Sequence, residues 1–181
     1  MNNTPKICLI MPYMGKIPPG FHLFMRSVTR NPGITIHWLT DQEFYGYTPQ
    51  NVKIHRMTLA DIKSLAEERL ETPVALSAPY KLCDLRPAFA EVFPELIDGY
   101  DYWGWGDFDV IWGNLEKSVR ERISEGFDVI TFHNLWLSGA FTIFRNDPLI
   151  NSAFRNRVSW PEILATEEHT SFGECSRRWA L

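Results

Sequence analysis

Residues 102–114 read YWGWGDFDVIWGN, an apolar run that carries Asp107 and Asp109 two positions apart. An apolar run of this kind, with glycines close by, is typical of a buried strand. Because side chains alternate along a strand, the two carboxylates would project to one side, about 7 Å apart, while Phe108 points to the other. We therefore expect a strand, 102–108, that buries Phe108 and presents two acids at its end.

Strand-like and helix-like patterns alternate on both sides of this run. Strands are predicted at 6–11, 34–40 and 52–57 before it, and at 127–132 and 138–146 after it. Helical spacing or capping signals lie between them, with Thr58 and Asn114 as expected N-caps. Residues 78–96 are also helix-like, and Pro87 must either kink this helix or lie in the first turn of one capped near Asp84. This alternation predicts an α/β protein with a mostly parallel sheet that helices cover on both faces.

Ligands of such sheets gather at the carboxyl ends of the strands. The loop after 6–11 and the end of 102–108 are therefore the expected place of a functional site.

Composition limits the class of protein. The chain has 181 residues, 45% of them hydrophobic, so we expect one domain, 1–181, with a substantial core. A net charge of -4 and the lack of a Lys/Arg cluster argue against nucleic acid as a partner. No segment approaches the roughly 20 apolar residues of a membrane span. Cys8, Cys83 and Cys175 are too widely spaced for a CxxC pair, so we expect buried thiols in a cytoplasmic protein.

The acidic pair suits a divalent cation. Two carboxylates held this close repel each other unless a cation or hydrogen-bond donors lie between them, and oxygen ligands suit Mn²⁺ or Mg²⁺. We therefore predict a metal site at Asp107 and Asp109. The alternative is that both acids are turn-forming or solvated residues at a strand end.

A longer stretch carries a family resemblance. YKLCDLRPAFAEVFPELIDGYDYWGWGDFDVIWGNL, residues 80–115, resembles the signature of a bacterial glycosyltransferase-like family of the type-A fold that is catalogued as a domain of unknown function. The similarity extends from ICLIMPYMG through FDVIT to FRND. More distantly, the order Asp84, Arg86 and then Asp-x-Asp is similar to toxin-type and to mannosyl- and galactosyltransferases.

The resemblance implies a metal-dependent glycosyltransferase with a Rossmann-like type-A sheet. Such an enzyme moves a sugar from a nucleotide-diphosphate sugar to a glycan or cell-surface polysaccharide acceptor. Asp109 would hold the metal and Asp107 the metal or the ribose, with Glu174 as a further catalytic candidate, a base. Asp84 would bind donor-sugar hydroxyls and Arg86 the diphosphate or the sugar. The alternative for Asp84 and Arg86 is a structural ion pair or a helix cap.

The resemblance also implies substrate contacts on either side of the acids. Pro12 and Tyr13 would lie at the nucleobase and ribose, where Tyr13 either stacks on the base or packs in the loop. Lys81 is either a second phosphate contact or a surface residue.

Further contacts are implied close to the acidic pair. Trp105 either contacts a base or sugar or only supports its strand. Ser138 and Gly139 either line the acceptor pocket or form a simple turn.

Two other functions remain open. The chain is alternatively a non-catalytic nucleotide- or carbohydrate-binding protein on the same fold, or a metal-independent interaction domain in which the acidic pair is structural. The resemblance implies a longer acceptor region, so a C-terminal truncation is a further expectation.

Overall fold

A computed structural model of the chain describes residues 4–133, 135–170 and 172. These residues form one six-stranded sheet. Its strands are β1 (Ile7–Pro12), β2 (Ile34–Thr40), β3 (Val52–Arg56), β4 (Tyr102–Gly106), β5 (Val129–Thr131) and β6 (Phe141–Arg145). The α-helices are α1 (Phe21–Thr29), α2 (Leu59–Leu70), α3 (Leu82–Leu85), α4 (Phe89–Val92), α5 (Pro94–Ile97), α6 (Leu115–Ser124), α7 (Pro148–Asn151) and α8 (Trp160–Ala165).

The strand order confirms the predicted α/β class. The strands lie in the order β3-β2-β1-β4-β6-β5, and β1, β2, β3 and β4 run parallel to one another. The last two differ, because β6 is antiparallel to both β4 and β5. The chain winds outward from β1 to β3 and then returns to place β4 on the other side of β1. Such a reversal creates a crevice at the carboxyl ends of the two central strands.

The period-2 pattern of β4 divides its side chains between the two faces of the sheet. Trp103 and Trp105 pack in the core beneath α2, α3, α4 and α8, together with Cys8 and Ile10 of β1. Tyr102 belongs to the opposite core, which α1 and α6 cover. Two of the three tryptophans in the opening stretch are therefore core residues of one face, and helices cover both faces as predicted.

Glycine is required in the middle of β4. A Cβ atom at Gly104 would lie 2.7 Å from Cα of Ile143 on β6, and closer still to the carbonyl oxygen of Thr142. These are backbone atoms, which cannot move aside without separating the two strands. Gly104 therefore allows the antiparallel strand β6 to pair closely with β4.

Local signals set most of the element boundaries. Thr58 caps α2 through a hydrogen bond that its side chain accepts from the backbone N–H of Asp61, and Asp61 completes the capping box. The side chain of Asn114 caps α6 by accepting from Lys117 N–H. Both predicted caps are confirmed.

Two predicted boundaries are wrong. The strand expected over 102–108 ends at Gly106, so the acids follow the strand in a turn. The helix expected over 78–96 is a series of short pieces. A 3-10 segment, Pro79–Lys81, precedes α3, a second, Arg86–Ala88, separates α3 from α4, and α5 follows. Pro87 and Pro94 explain the breaks, because neither residue can donate the backbone hydrogen bond that continues a helix.

The described residues contain no helix that is both long and apolar enough to cross a bilayer.

We predict that Gly104→Ala destabilises the protein by about 3 kcal/mol or more, because the added methyl group meets backbone that cannot relax. Chemical denaturation would measure the loss. The control is Gly113→Ala, where an added Cβ has nothing within 4 Å. Equal stability of the two variants would contradict the close approach of β4 and β6.

Candidate functional site

A cleft of about 780 Å³ opens at the carboxyl ends of β1 and β4, where the strand order reverses. Six of the residues predicted from the sequence line it: Pro12, Tyr13, Arg86, Asp107, Asp109 and Gly139. They come from four separate segments of the chain. The fold therefore brings most of the predicted site together at the expected edge of the sheet.

The loop after β1 forms one wall of the cleft. The backbone N–H of Tyr13 donates to the carbonyl oxygen of Leu39 at 2.8 Å, and that of Gly15 donates to Oδ1 of Asp41 at 2.9 Å. Gly15 has φ +85°, a conformation that glycine adopts without strain. Both bonds tie the loop to the end of β2 and so hold Tyr13 at the cleft.

The turn after β4 places the acidic pair. Phe108 lies between Asp107 and Asp109 and is buried among aromatic rings, with its centroid 5.1 Å from Phe24 and 5.8 Å from Trp38. Its burial leaves Asp107 partly buried and Asp109 exposed, both at the cleft. The sequence predicted the burial of Phe108 correctly, but the two acids lie in a turn and in unlike environments rather than side by side on a strand.

Arg86 connects three parts of the cleft. Its Nη2 donates to Oδ1 of Asp107 at 2.5 Å, and its Nη1 donates to the carbonyl oxygen of Gly139 at 3.0 Å. Burial raises the pKa of the Asp107 carboxyl above its ordinary value, the Arg86 charge opposes this, and the Asp109 charge adds to it. Burial, and to a lesser extent the second carboxylate, therefore makes ionisation of Asp107 costly, and the positive charge of Arg86 makes it easier.

Trp105 and Ser138 are not among the residues that line the cleft. Trp105 is 1% exposed, and its Nε1 donates to the carbonyl oxygen of Ser138 at 3.0 Å. The Oγ1 of Thr142 donates to the same carbonyl oxygen at 2.9 Å. Trp105 and Thr142 therefore hold the loop between β5 and β6 at Ser138, the residue before Gly139. This agrees with the alternative that Trp105 only supports the structure.

Lys81 and Asp84 form a buried ion pair. Lys81 is 4% exposed and Asp84 is 0% exposed, and Nζ lies 2.8 Å from Oδ2. Lys81 also donates to the carbonyl oxygens of Ile163 at 2.8 Å and Glu168 at 2.7 Å. Neither residue is among those that line the cleft. Asp84 thus forms a structural ion pair, which was one alternative for Asp84 and Arg86, but its partner is Lys81, while Arg86 pairs with Asp107. Lys81 is neither a surface residue nor at the cleft.

Asp84 also fixes a C-terminal segment. Its carboxylate accepts from the backbone N–H of Thr170 at 3.0 Å and of Phe172 at 2.7 Å. Burial pushes the pKa of Asp84 upward, but the hydrogen bonds from Lys81 and from these two backbone groups outweigh it and hold the pKa below its ordinary value. The ion pair thereby positions the segment that carries His169 to the cleft.

The structure adds two side chains on the far wall of the cleft. Tyr80 is mostly exposed, and its ring lies edge-on to that of His169 with centroids 4.4 Å apart. His169 Nδ1 lies 3.3 Å from Oδ2 of Asp84. Tyr80 belongs to the stretch 80–115, but the sequence does not indicate a role for it. Only the fold shows that the 3-10 segment Pro79–Lys81 faces the cleft. Cys83 also lines the cleft, whereas Cys8 is buried as predicted.

Glu174 and Cys175 lie outside the described residues. Among the described residues, no group of three or more His, Cys, Asp and Glu side chains has the geometry of a metal site. Asp107 and Asp109 are the two carboxylates among the described residues that line the cleft. This number fits Mg²⁺ or Mn²⁺, which commonly take one or two carboxylates and fill their other positions with water and substrate phosphates.

These features define an α/β protein with an acidic and basic cleft at the reversal of its strand order. The chain belongs to a family whose model matches residues 9–180 and is described as a family of unknown function, DUF6625. This agrees with the part of the predicted resemblance that concerned a domain of unknown function. Searches of curated proteins and of solved structures gave no match.

We predict that Asp84→Asn lowers the free energy of unfolding by about 3 to 5 kcal/mol at pH 7, because it leaves Lys81 charged and buried without its partner. Since the folded pKa of Asp84 is depressed, its contribution is present above the unfolded pKa and is lost as the pH falls through the folded pKa. The gap between wild type and variant should therefore narrow below about pH 4. Denaturation at pH 7 and pH 3 measures both effects.

The control for this prediction is Asp128→Asn, which breaks an exposed ion pair with Arg145. That change should cost at most about 1 kcal/mol. A loss no larger for Asp84→Asn than for the control would contradict a structural role for the buried pair.

Proposed function

We propose that this protein is a metal-dependent glycosyltransferase that uses a nucleotide-diphosphate sugar as donor and a glycan as acceptor. The observation that carries the proposal is the meeting of Tyr13, Arg86, Asp107 and Asp109 in one cleft at the reversal of the strand order. The similarity of residues 80–115 to type-A glycosyltransferase-like sequences supports the same function. The proposal includes the type-A fold itself.

The charges of the cleft suit a diphosphate and a cation together. Asp107 and Asp109 would hold Mn²⁺ or Mg²⁺, which supplies a Lewis acid against the negative charge that develops on the departing diphosphate. A guanidinium group binds phosphate oxygens well, and Arg86 already lies within hydrogen-bonding distance of Asp107. We therefore assign Arg86 to the diphosphate.

The nucleoside would lie along the wall that β1 provides. Tyr13 presents a ring at the cleft, and its edge-on contact with Phe108, at 5.5 Å, keeps the ring from turning freely. A fixed aromatic ring is a suitable surface for stacking a nucleobase. The acceptor would enter from the opposite side, past Asp109 and Gly139.

We predict that uridine diphosphate binds clearly more tightly in Mn²⁺ than in chelator, because the cation offsets repulsion between its phosphates and the two carboxylates. Asp109→Ala should remove the metal-dependent part of the affinity and any sugar transfer or donor hydrolysis. Its melting temperature in chelator should stay equal to that of the wild type or rise, since Asp109 is exposed and faces another carboxylate. Calorimetry and thermal melting would measure these changes.

The control is Asp98→Ala, which removes an exposed acid that follows α5, before the amino end of β4. It should change neither affinity nor metal dependence. Equal affinity for uridine diphosphate in chelator and in Mn²⁺ would refute the metal role. Metal-dependent binding of nucleotide sugars without any transfer or hydrolysis would favour the non-catalytic binding protein instead.

We predict that Arg86→Ala weakens binding of uridine diphosphate at least about tenfold, because a charge-assisted hydrogen bond to phosphate contributes roughly 1.5 to 3 kcal/mol. Uridine, which has no phosphate, should bind both proteins equally. Arg86→Lys keeps the charge and should recover part of the affinity. A loss of affinity for uridine as large as that for uridine diphosphate would mean that Arg86 only maintains the shape of the cleft.

A further inference from the structure

A second depression begins where the cleft ends. It has a volume of about 310 Å³, and seven apolar side chains of the described residues line it: Val110, Ile111, Trp112, Leu115, Phe132, Ala140 and Phe141. Trp112 and Phe141 are buried and form its floor, with their rings edge-on and 6.4 Å between centroids. Phe132 stacks on Phe141 at 5.1 Å. We call this depression the apolar groove.

Large apolar side chains in the walls of the apolar groove are exposed to solvent. Ile111 is 69% exposed and Phe132 is 59% exposed, although both adjoin a buried aromatic floor. Exposed apolar surface grouped around a concave site marks a place for a ligand more often than isolated exposed residues do. The apolar groove therefore has the form of a binding site.

The chemistry of the lining selects the kind of ligand. Among the residues that the structure describes, no Asp, Glu, Lys, Arg or His lines the apolar groove. Its polar side chains, Asn114 and Ser118, already serve the first turn of α6: Oδ1 of Asn114 accepts from Lys117 N–H at 3.3 Å, and Oγ of Ser118 donates to the carbonyl oxygen of Asn114 at 3.4 Å. An uncharged hydrocarbon matches such a lining, and a nucleotide or a charged peptide does not.

The apolar groove is continuous with the cleft at two points. Asp109 lines the cleft and Val110 the groove, and likewise Gly139 lines the cleft and Ala140 the groove. Consecutive Cα atoms lie about 3.8 Å apart, so the two sites meet within one residue on both segments. The groove begins at Asp109 and Gly139, away from Pro12 and Tyr13, where the proposed function places the donor.

We propose that the apolar groove binds the hydrocarbon chain of a lipid-linked acceptor, whose sugar end reaches the cleft beside Asp109 and Gly139. This proposal rests on the proposed function, because it names the acceptor of that reaction as one that carries an alkyl chain. The groove holds the chain by apolar burial, and the cleft holds the sugar and the diphosphate by charge.

The test uses methyl, hexyl and octyl β-glucoside as probes, below their micelle concentrations, with calorimetry on the whole chain. Affinity should rise with chain length, by up to roughly fourfold for each methylene that becomes fully buried, since burial of one methylene contributes about 0.8 kcal/mol. Ile111→Ser and Phe132→Ser should each lower the affinity for octyl glucoside at least about fivefold. Affinity for uridine diphosphate with Mn²⁺ should stay unchanged in both variants.

The matched control is Leu149→Ser, which removes an apolar side chain that is 82% exposed on α7, away from the groove. It should bind octyl glucoside like the wild type. Affinity that does not depend on chain length, or that survives both groove variants, would overturn the proposal. A concentration-dependent dimer that Phe132→Ser disrupts, without any binding of octyl glucoside, would also overturn it and assign the groove to a second copy of the chain.

Failure of the proposed function gives a different result. Uridine diphosphate would then show no dependence on Mn²⁺, while octyl glucoside would still bind and Ile111→Ser would still weaken it. That outcome supports the apolar groove as an alkyl-chain site and rejects only the donor chemistry. Ile111→Ser is the safer of the two variants, because Ile111 is mostly exposed and lies outside the ring stack.

Discussion

The cleft depends on the burial of Phe108. β4 ends at Gly106, and the next residue that enters the core is Phe108, whose ring contacts those of Phe21, Phe24 and Trp38. Apolar burial and these ring contacts together stabilise the buried position of the Phe108 side chain by several kcal/mol. The burial of this ring places Asp107 and Asp109, on either side of it, at the cleft. The residues that follow lead to α6. One buried ring therefore fixes the position of both neighbouring acids at the cleft.

Charge balance in the cleft follows from the same turn. Asp107 is partly buried beside another acid, which is unfavourable unless positive charge is near. Arg86 supplies that charge and also reaches Gly139, so it joins the turn after β4 to the loop before β6. A ligand with phosphate groups and a cation would offer Arg86 and the two acids further partners of opposite charge. These opposite charges are the physical basis of the proposed donor site.

Support of the cleft comes from groups that do not face it. Trp105 holds the carbonyl oxygen of Ser138 from below, and the buried pair of Lys81 and Asp84 holds the segment of His169 from the side. A buried ion pair is costly to form and still more costly to break, so it specifies a position rather than adding much stability. Trp105, Lys81 and Asp84, for which the resemblance implied substrate contacts, thus support the cleft from within the fold. The buried carboxylate of Asp84 is better explained by its partners among the described residues, Lys81, Thr170 and Phe172, than by a sugar.

The amino-acid sequence by itself determined the α/β class and the strands β1 to β4, each boundary to within two residues. It also determined the caps at Thr58 and Asn114 and the edge of the sheet at which the cleft opens. It could do so because these features depend on local rules: side-chain alternation, capping geometry and breaks at proline. The antiparallel direction of β6 and the length of β4 were decided by tertiary structure. The first depends on the pairing of β6 with β4 and β5, and the second on Phe108 leaving the strand for the core. Tertiary structure also decided that Asp84 and Lys81 are buried while Tyr80 and His169 face the cleft. Burial of a charged residue depends on partners far along the chain, here residues 163–172, and no local pattern reveals which partners will meet.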